Sequence, residues 1–423
     1  MRMLVFLAAT LSVACNVSFD TDADTAVDPT DTAGDQAEIP VDGTDVPIDG
    51  HDPCADFPGD PCVVLPYGGE SVDLIVPFTL EVDSADIYLL VDTTGSMTVS
   101  ITNIADAFST SILPAARTAF ADVRFGVGHF NDFPVEPFGE PLDRPYWNVI
   151  DLTADVADAH SAIESLLATG EWGYGMDEPE SNSVALALTA TGSDLSGGGV
   201  VIPPRTCPFA GDFGYPCFRP GSMAVVLMVS DAPWHNGPDG AEPYSFGTFT
   251  YDDAVGFFRA AGIKFLGLFV NNTGLPDGLT AMQRFGTDTS CIDVASQPFV
   301  SDGMPETAGE RSAELITAIR EQARFEVMAA AEDVPGDPPG AEVDAAAFVV
   351  SVWPDSSLPP GGFPYPTQDE YAFHDAYQGT ELSFRVVLQN SFHPGPVVAL
   401  LDVVAYADYR IAMGRSRIVV VVP

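Results

Sequence analysis

Three oxygen-bearing side chains, Asp92, Thr94 and Ser96, alternate through the stretch Asp92-Thr93-Thr94-Gly95-Ser96. That alternation lets all three point to one side of a tight turn at Gly95. One carboxylate and two hydroxyls form a hard, oxygen-only ligand set. It suits a divalent cation, above all Mg²⁺, which wants octahedral oxygen ligation and keeps part of its water. Hydroxyl ligands add little charge, so a cation held this way stays electrophilic toward an incoming carboxylate. Further acids follow in loop-like sequence: Asp132 after Asn131, Asp177 and Glu180 in Asp177-Glu178-Pro179-Glu180, and Asp231 after Ser230. His235, a lone loop histidine, reads as structural. The chain has no Gly-x-Ser-x-Gly, His-Glu-x-x-His or phosphate-cradling Gly-Lys motif, so the common hydrolase and nucleotide chemistries lack their usual residues.

The elements that must position these residues alternate between strand and helix. Ile87 to Val91 is short and apolar on both faces, the pattern of a fully buried strand. It delivers Asp92 at its carboxyl end, where open α/β sheets bind ligands. Ile101, Ile104, Phe108 and Ile112 fall at helical spacing, with Pro114 expected to kink or split the helix. Val123–Phe130 and Trp147–Leu152 read as strands, Val156–Leu167 and Ala185–Thr191 as helices. Met223–Val229 is the best central strand and ends at Ser230-Asp231. Tyr251–Ala261, Leu275–Phe285 and Thr307–Phe325 read as helices, Ile263–Val270 and Ser290–Val294 as strands. Such alternation predicts a mostly parallel sheet covered by helices. On both flanks the pattern changes. Val63–Leu65 and Val72–Val76 before the α/β segment, and Ala346–Val352, Leu382–Leu388, Val397–Ala407 and Arg417–Val422 after it, read as strands of an all-β sandwich.

Of the 423 residues, 61 are acidic and 16 basic, for a net charge of −45, and Lys264 is the one lysine. Such a surface repels nucleic acid and anionic membrane faces. Residues 1–14 read as a signal peptide, with Arg2, an apolar run and the small residues Ser12-Val13-Ala14. Cys15 follows, which resembles a bacterial lipoprotein cleavage site, although Ser12 stands where that pattern usually has leucine. Lipidation at Cys15 is expected in preference to plain secretion. Residues 15–60 are rich in Asp, with almost no aromatic content, and read as a disordered acidic tether. In an exported protein disulfides are permitted. The local spacing then pairs Cys54 with Cys62 and Cys207 with Cys217, leaving Cys291 as a buried thiol.

The motif around Asp92 resembles the metal-ion-dependent adhesion site (MIDAS) of von Willebrand factor A (VWA) domains, and the integrin β-subunit version of that domain is the nearest likeness. Leu89-Leu90-Val91-Asp92 with Ser96-Met97, Phe125-Gly126-Val127-Gly128-His129-Phe130-Asn131-Asp132, Asp177-Glu178-Pro179-Glu180 and Val229-Ser230-Asp231-Ala232 match its stretches in order. The resemblance implies a doubly wound α/β domain over 84–330, inserted into a hybrid-domain-like sandwich formed by 61–83 and 334–423. It implies a main Mg²⁺ site of Asp92, Thr94, Ser96, Glu180 and Asp231. It implies a second site of Asp132, Asp177, the Pro179 carbonyl and Glu180, which tends to bind Ca²⁺. The family has asparagine where this chain has Gly175, which weakens that second site. Val99 and Ser100 replace the acids of a third site, which is expected to be absent or much degraded.

The function implied is a metal-dependent adhesion or protein-binding module of the bacterial cell envelope, lipid-anchored at the outer surface or secreted. Its partner would be a protein presenting Asp or Glu to the metal, with no nucleic-acid ligand and membrane contact only through the lipid. The rival readings are a structural envelope protein with a vestigial metal site and, behind it, a metal-dependent hydrolase. No catalytic residue is assigned.

Overall fold

The structure is a computed structural model. It describes residues 53–56, 59–168, 173–270, 276–335 and 343–423. The signal peptide, Cys15 and most of the expected tether lie outside the described residues. Two strands come first, β1 (Cys62–Val64) and β2 (Val72–Thr79). The α/β segment opens with β3 (Ser84–Asp92), of which every residue after Ser84 is buried. Helix α1 (Thr98–Ala107) runs through a π-turn over Phe108–Ile112 into α2 (Leu113–Ala119), with Pro114 in the first turn of α2. The π-turn ahead of it already interrupts the regular i→i−4 ladder and so accommodates the proline, which is the form the expected split takes.

The segment continues with β4 (Asp122–Phe130), β5 (Trp147–Thr153), α3 (Val156–Ser165) and α4 (Asn182–Thr191). A small hairpin follows, β6 (Leu195–Gly197) with β7 (Val200–Ile202), in the Gly/Pro-rich insertion. Then come β8 (Met223–Ser230), α5 (Tyr251–Ala261), β9 (Lys264–Val270), α6 (Pro276–Asp288), β10 (Val300–Gly303) and α7 (Ala308–Gln322). Helices α1, α2, α3 and α7 pack with one another, and α4 packs with α5.

The strand order is β10-β9-β8-β3-β4-β5. All pairings are parallel except β4 with β5. The first strand, β3, therefore lies between β4 on one side and β8 on the other. The chain winds outward in both directions from this point, which makes the carboxyl ends of β3, β4 and β8 the natural ligand crevice. Register brings Val91 opposite Val229 and Asp92 opposite Phe130. Asp92, Asp132 and Asp231 are thus delivered to one end of one sheet.

Beyond α7 the chain is all β: β11 (Phe325–Asp333), β12 (Val349–Leu358), β13 (Thr367–Gln368), β14 (Ala372–Ala376), β15 (Glu381–Leu388), β16 (Val397–Ala407) and β17 (Ile411–Val422). They form a six-stranded sheet, β1-β17-β16-β11-β14-β13, and a three-stranded sheet, β12-β15-β2. Both sheets therefore draw strands from either side of the α/β segment. Phe373 of the first meets Phe384 of the second edge-to-face at 5.3 Å.

Three expectations are corrected. Ser290–Val294 is a turn with a single bridge from Ile292 to Pro298, and the sheet edge is β10 instead. Cys-Ile-Asp-Val alternates as a strand would, yet it turns back on itself before reaching β9. Second, α7 stops at Gln322, and Phe325–Asp333 joins β14 and β16 rather than the α/β segment. The change of architecture thus falls near Ala323, ahead of the expected boundary at 330. Its physical signal is period-two burial, with Phe325, Val327 and Ala329 buried between half-buried neighbours. Third, residues 345–348 form a short helical turn, and the strand expected from Ala346 begins at Val349. The disulfides Cys54–Cys62 and Cys207–Cys217 are formed, and Cys291 is an unbridged buried thiol.

Tyr88 lies fully buried in the middle of β3. Its hydroxyl meets the Tyr146 hydroxyl and the Asn148 Oδ1, each at 2.9 Å. The ring passes over β4 where Gly126 and Gly128 leave room: a Cβ at Gly128 would stand 1.9 Å from the Tyr88 hydroxyl. Gly128→Ala should therefore displace the tyrosine and cost about 2 kcal/mol, as overpacked cores do, read as a drop in urea midpoint at unchanged slope.

Candidate metal centre

Asp92 is fully buried at the end of β3. The Thr94 backbone N–H and hydroxyl both donate to its Oδ1, at 2.9 and 2.6 Å, and the Ser230 hydroxyl donates to Oδ2 at 2.7 Å. With both oxygens engaged by protein donors, Asp92 is oriented rather than loose. Ser96 donates to Asp231 Oδ1 at 3.1 Å, and the Thr94 and Ser96 hydroxyl oxygens lie 3.5 Å apart. Glu180 is buried and held by its backbone: its N–H donates to Pro233 O at 2.9 Å, and His235 N–H donates to Glu180 O at 2.8 Å. This ladder sets the 177–180 loop against the 231–235 loop.

Thr94, Ser96, Glu180 and Asp231 line one cavity of about 330 Å³, together with Gly95, Tyr174 and Asp177. Asp92 sits beneath them. The structure thus brings together the residues of the main site that the sequence picked out.

Electrostatics at this place are unfavourable for anions. Burial and the Asp231 charge push Asp92 up to about 7, against the opposing pull of its hydrogen bonds to Thr94 and Ser230. Burial and then the charges of Asp92, Asp132, Asp143 and Asp177 drive Glu180 well above the carboxylate range. Among the described residues neither Asp92 nor Glu180 forms an ion pair with a basic side chain, and Glu180 Oε2 is buried without a hydrogen-bond partner. A buried carboxylate normally has a cation beside it or takes up a proton. The donor set of carboxylates and hydroxyls fits a hard divalent ion.

Of the expected second site, Glu180 feels the charges of Asp132 and Asp177. Asp132 and Asp177 converge, but they do so on His235. Asp132 Oδ2 and Asp177 Oδ2 each lie 3.3 Å from His235 Nε2. Gly175 has φ +78°, and a Cβ there would meet Glu180 Oε1 at 2.6 Å. No side chain fits at that position, so no ligand can come from it.

Sequence reading missed three contributors. Ser230 holds Asp92 from β8, and its place beside Asp231 was the available signal. Tyr244 donates its hydroxyl to Asp132 Oδ1 from a loop with no pattern to mark it. His235, a lone loop histidine in the sequence, stands between Asp132 and Asp177. Behind the centre, Asn131 Nδ2 donates to Thr93 Oγ1, which also meets His129 Nδ1 at 2.9 Å. Burial holds that histidine down to about 3, so it is neutral.

No protein-family profile matches the chain, and no curated protein matches it. Among solved structures, a von Willebrand factor type A protein from Catenulispora acidiphila is similar at 14% identity and a TM-score of 0.35, over 85% of this chain and 71% of that one. The pilus adhesin SpaC from Lactobacillus rhamnosus GG, in its open conformation, is similar at 11% identity and a TM-score of 0.33, over 84% of this chain and 45% of that one. This chain therefore spans under half the length of that adhesin.

Proposed function

We propose that this chain is a metal-dependent protein-binding module of the cell surface, built as a VWA-type domain inserted into a β-sandwich that resembles the integrin hybrid domain. The observation that carries the reading is the burial of Asp92 and Glu180, mutually repelling and without basic partners, at the base of an open cavity. Asp92, Thr94, Ser96, Glu180 and Asp231 would hold Mg²⁺. Bound there, the ion would supply one open coordination position for an Asp or Glu of a partner protein. The chain's own residues do the rest. Thr94 and Ser230 fix the rotamer of Asp92, Asp231 fixes Ser96, and the Glu180 backbone ladder fixes the opposite wall. The strand order and the sequence of matched motifs support the VWA assignment.

The test is capture of surface proteins by the immobilised chain in Mg²⁺ and in EDTA. Capture that ignores EDTA would sink the reading. Tyr174 provides a second handle. It is 52% exposed, and its ring lies against Gly95 at the cavity rim. Tyrosine is among the residues that most often carry binding energy once a partner covers them. Tyr174→Ala should weaken Mg²⁺-dependent capture about tenfold while leaving stabilisation by Mg²⁺ unchanged, measured by titration of a captured partner.

Export is supported by two disulfides, which need an oxidising compartment. Among the described residues no helix is long and apolar enough to cross a membrane. Anchoring would then fall to a lipid on Cys15. Cys15→Ser should move the protein from the membrane to the soluble fraction, and a wild type already soluble outside the cell would refute lipidation.

A further inference from the structure

We propose that Asp132, Asp177 and His235 form a separate binding site for a divalent transition metal, Zn²⁺ being the ion that fits best. Each ligand is held from behind so that one atom faces the site. His235 Nδ1 donates to Glu242 O at 2.7 Å, which leaves Nε2 facing the two carboxylates. Asp132 Oδ1 accepts from the Phe133 N–H at 2.6 Å and from the Tyr244 hydroxyl. Its Oδ2 is fully buried, accepts no other hydrogen bond and faces His235 Nε2. An imidazole whose outer nitrogen donates to a carbonyl, and a carboxylate whose outer oxygen is hydrogen-bonded, are the usual supports of metal ligands.

The spacing agrees. Nε2 stands 3.3 Å from Asp132 Oδ2, and 3.3 and 3.4 Å from the two oxygens of Asp177. Charge-assisted N–H···O bonds are shorter, at about 2.7–2.9 Å. Ligand atoms about 2.0–2.1 Å from a tetrahedral ion are about 3.4 Å from one another. The three ligand atoms all lie within 4.8 Å of each other. His235 is wrapped by Phe138, edge-on at 5.1 Å, and by Tyr244, tilted at 4.4 Å. Asp177 keeps its side chain 32% exposed and lines the 330 Å³ cavity, which provides entry and a position for water.

The nitrogen ligand decides the metal class. Ca²⁺ takes six to eight oxygens, and Gly175 adds none. Imidazole favours Zn²⁺ and its transition-metal neighbours. The family resemblance implied an all-oxygen Ca²⁺ site around Asp132 and Asp177. Here the position takes a softer ion, and it does so whether or not Mg²⁺ binds above Asp92.

The experiment is calorimetric titration of Zn²⁺ into the full chain with Mg²⁺ in millimolar excess. The wild type should take up one Zn²⁺ that Ca²⁺ does not displace. His235→Gln and Asp177→Asn should each weaken that uptake at least tenfold, while Asp231→Asn should leave it unchanged. Asp177 is partly exposed, so its variant reads the site even where His235→Gln unfolds. A wild type that takes up no Zn²⁺, or an Asp177→Asn variant that binds it as tightly as wild type, would overturn the site and leave a hydrogen-bonded ion triad. A wild type that takes up Zn²⁺ but is not stabilised by Mg²⁺ would refute the main-site reading alone.

Discussion

In EDTA the protein should gain about 2 kcal/mol of stability as the pH is lowered from 8 to 6, the reverse of acid denaturation. Asp92 drives this. Its carboxyl titrates at about 7 in the fold against 3.8 in a solvated chain. A raised folded value means that the proton is held by the native state, so its stabilisation is complete below 3.8 and is lost as the pH rises through 7. At about 1.4 kcal/mol per pH step, Asp92 alone contributes about 1 kcal/mol between pH 8 and 6. Glu180, raised in the same direction, adds to it. His235 acts with them, because its raised value also stabilises the protonated fold. His129 opposes them. It is held down to about 3 from 6.5, so its neutral form is stabilising above 6.5 and that stability is lost as the pH falls toward 3. The apo profile should therefore rise most steeply from pH 8 to about 6.5 and flatten below that, where the loss from His129 offsets the continuing gain from Asp92. With saturating Mg²⁺ the slope between pH 8 and 6 should reverse, because protons compete with the ion for Asp92 and Glu180. Urea melts across pH with and without Mg²⁺ read both curves. An EDTA profile that falls steadily from pH 8 would show that these carboxylates are not held apart from solvent as the structure has them.

Much of the site was legible because its residues sit where strands end. Asp92 and Asp231 each follow an uninterrupted apolar run, and such runs become central parallel strands whose carboxyl ends meet. The loop carrying Asp177 and Glu180 was legible only through resemblance, since nothing in its composition distinguishes it from other acidic loops of this chain. The role of His235 was not legible. Its significance depends on Asp132 at the end of β4 and on Glu242 O, contacts that span 103 and 7 residues and leave no periodic trace. Tyr244 was hidden for the same reason.

The fold divides similarly. Strands with alternating or continuous apolar patterns were readable, including Leu382–Leu388 and Val397–Ala407. The edge strand β10 was not, because Val300-Ser301-Asp302-Gly303 is short and polar, and its pairing with Gly267–Val270 comes from β9. Strand β11 was hidden by the helical run before it. Leu315, Ile316 and Ile319 suggest a helix that continues through Phe325, but Ala323 turns extended and Phe325 enters the other sheet.

Asp231→Asn should abolish stabilisation by Mg²⁺ and Mg²⁺-dependent capture of a partner while leaving the metal-free fold at least as stable as wild type. Asp92, Glu180 and Asp231 are contributed by the ends of β3 and β8 and by a loop between them, so only the folded chain assembles the site. An ion that binds the native state alone stabilises it by about 2.7 kcal/mol at a concentration one hundred times its Kd. The asparagine keeps an oxygen for the Ser96 hydroxyl, which donates to Asp231 Oδ1 at 3.1 Å. What it removes is charge. Burial is the largest cause raising Asp92 and the Asp231 charge the next, so removing that charge should lower Asp92 part of the way and make the EDTA profile described above shallower. Thermal melts of wild type and variant, each in Mg²⁺ and in EDTA, give four midpoints. Wild type should separate by several degrees between the two conditions, and the variant should not separate at all. Equal Mg²⁺ stabilisation in both proteins would place the ion elsewhere. A wild-type midpoint indifferent to millimolar Mg²⁺ would remove the cation from Asp92 and with it the proposed mode of binding.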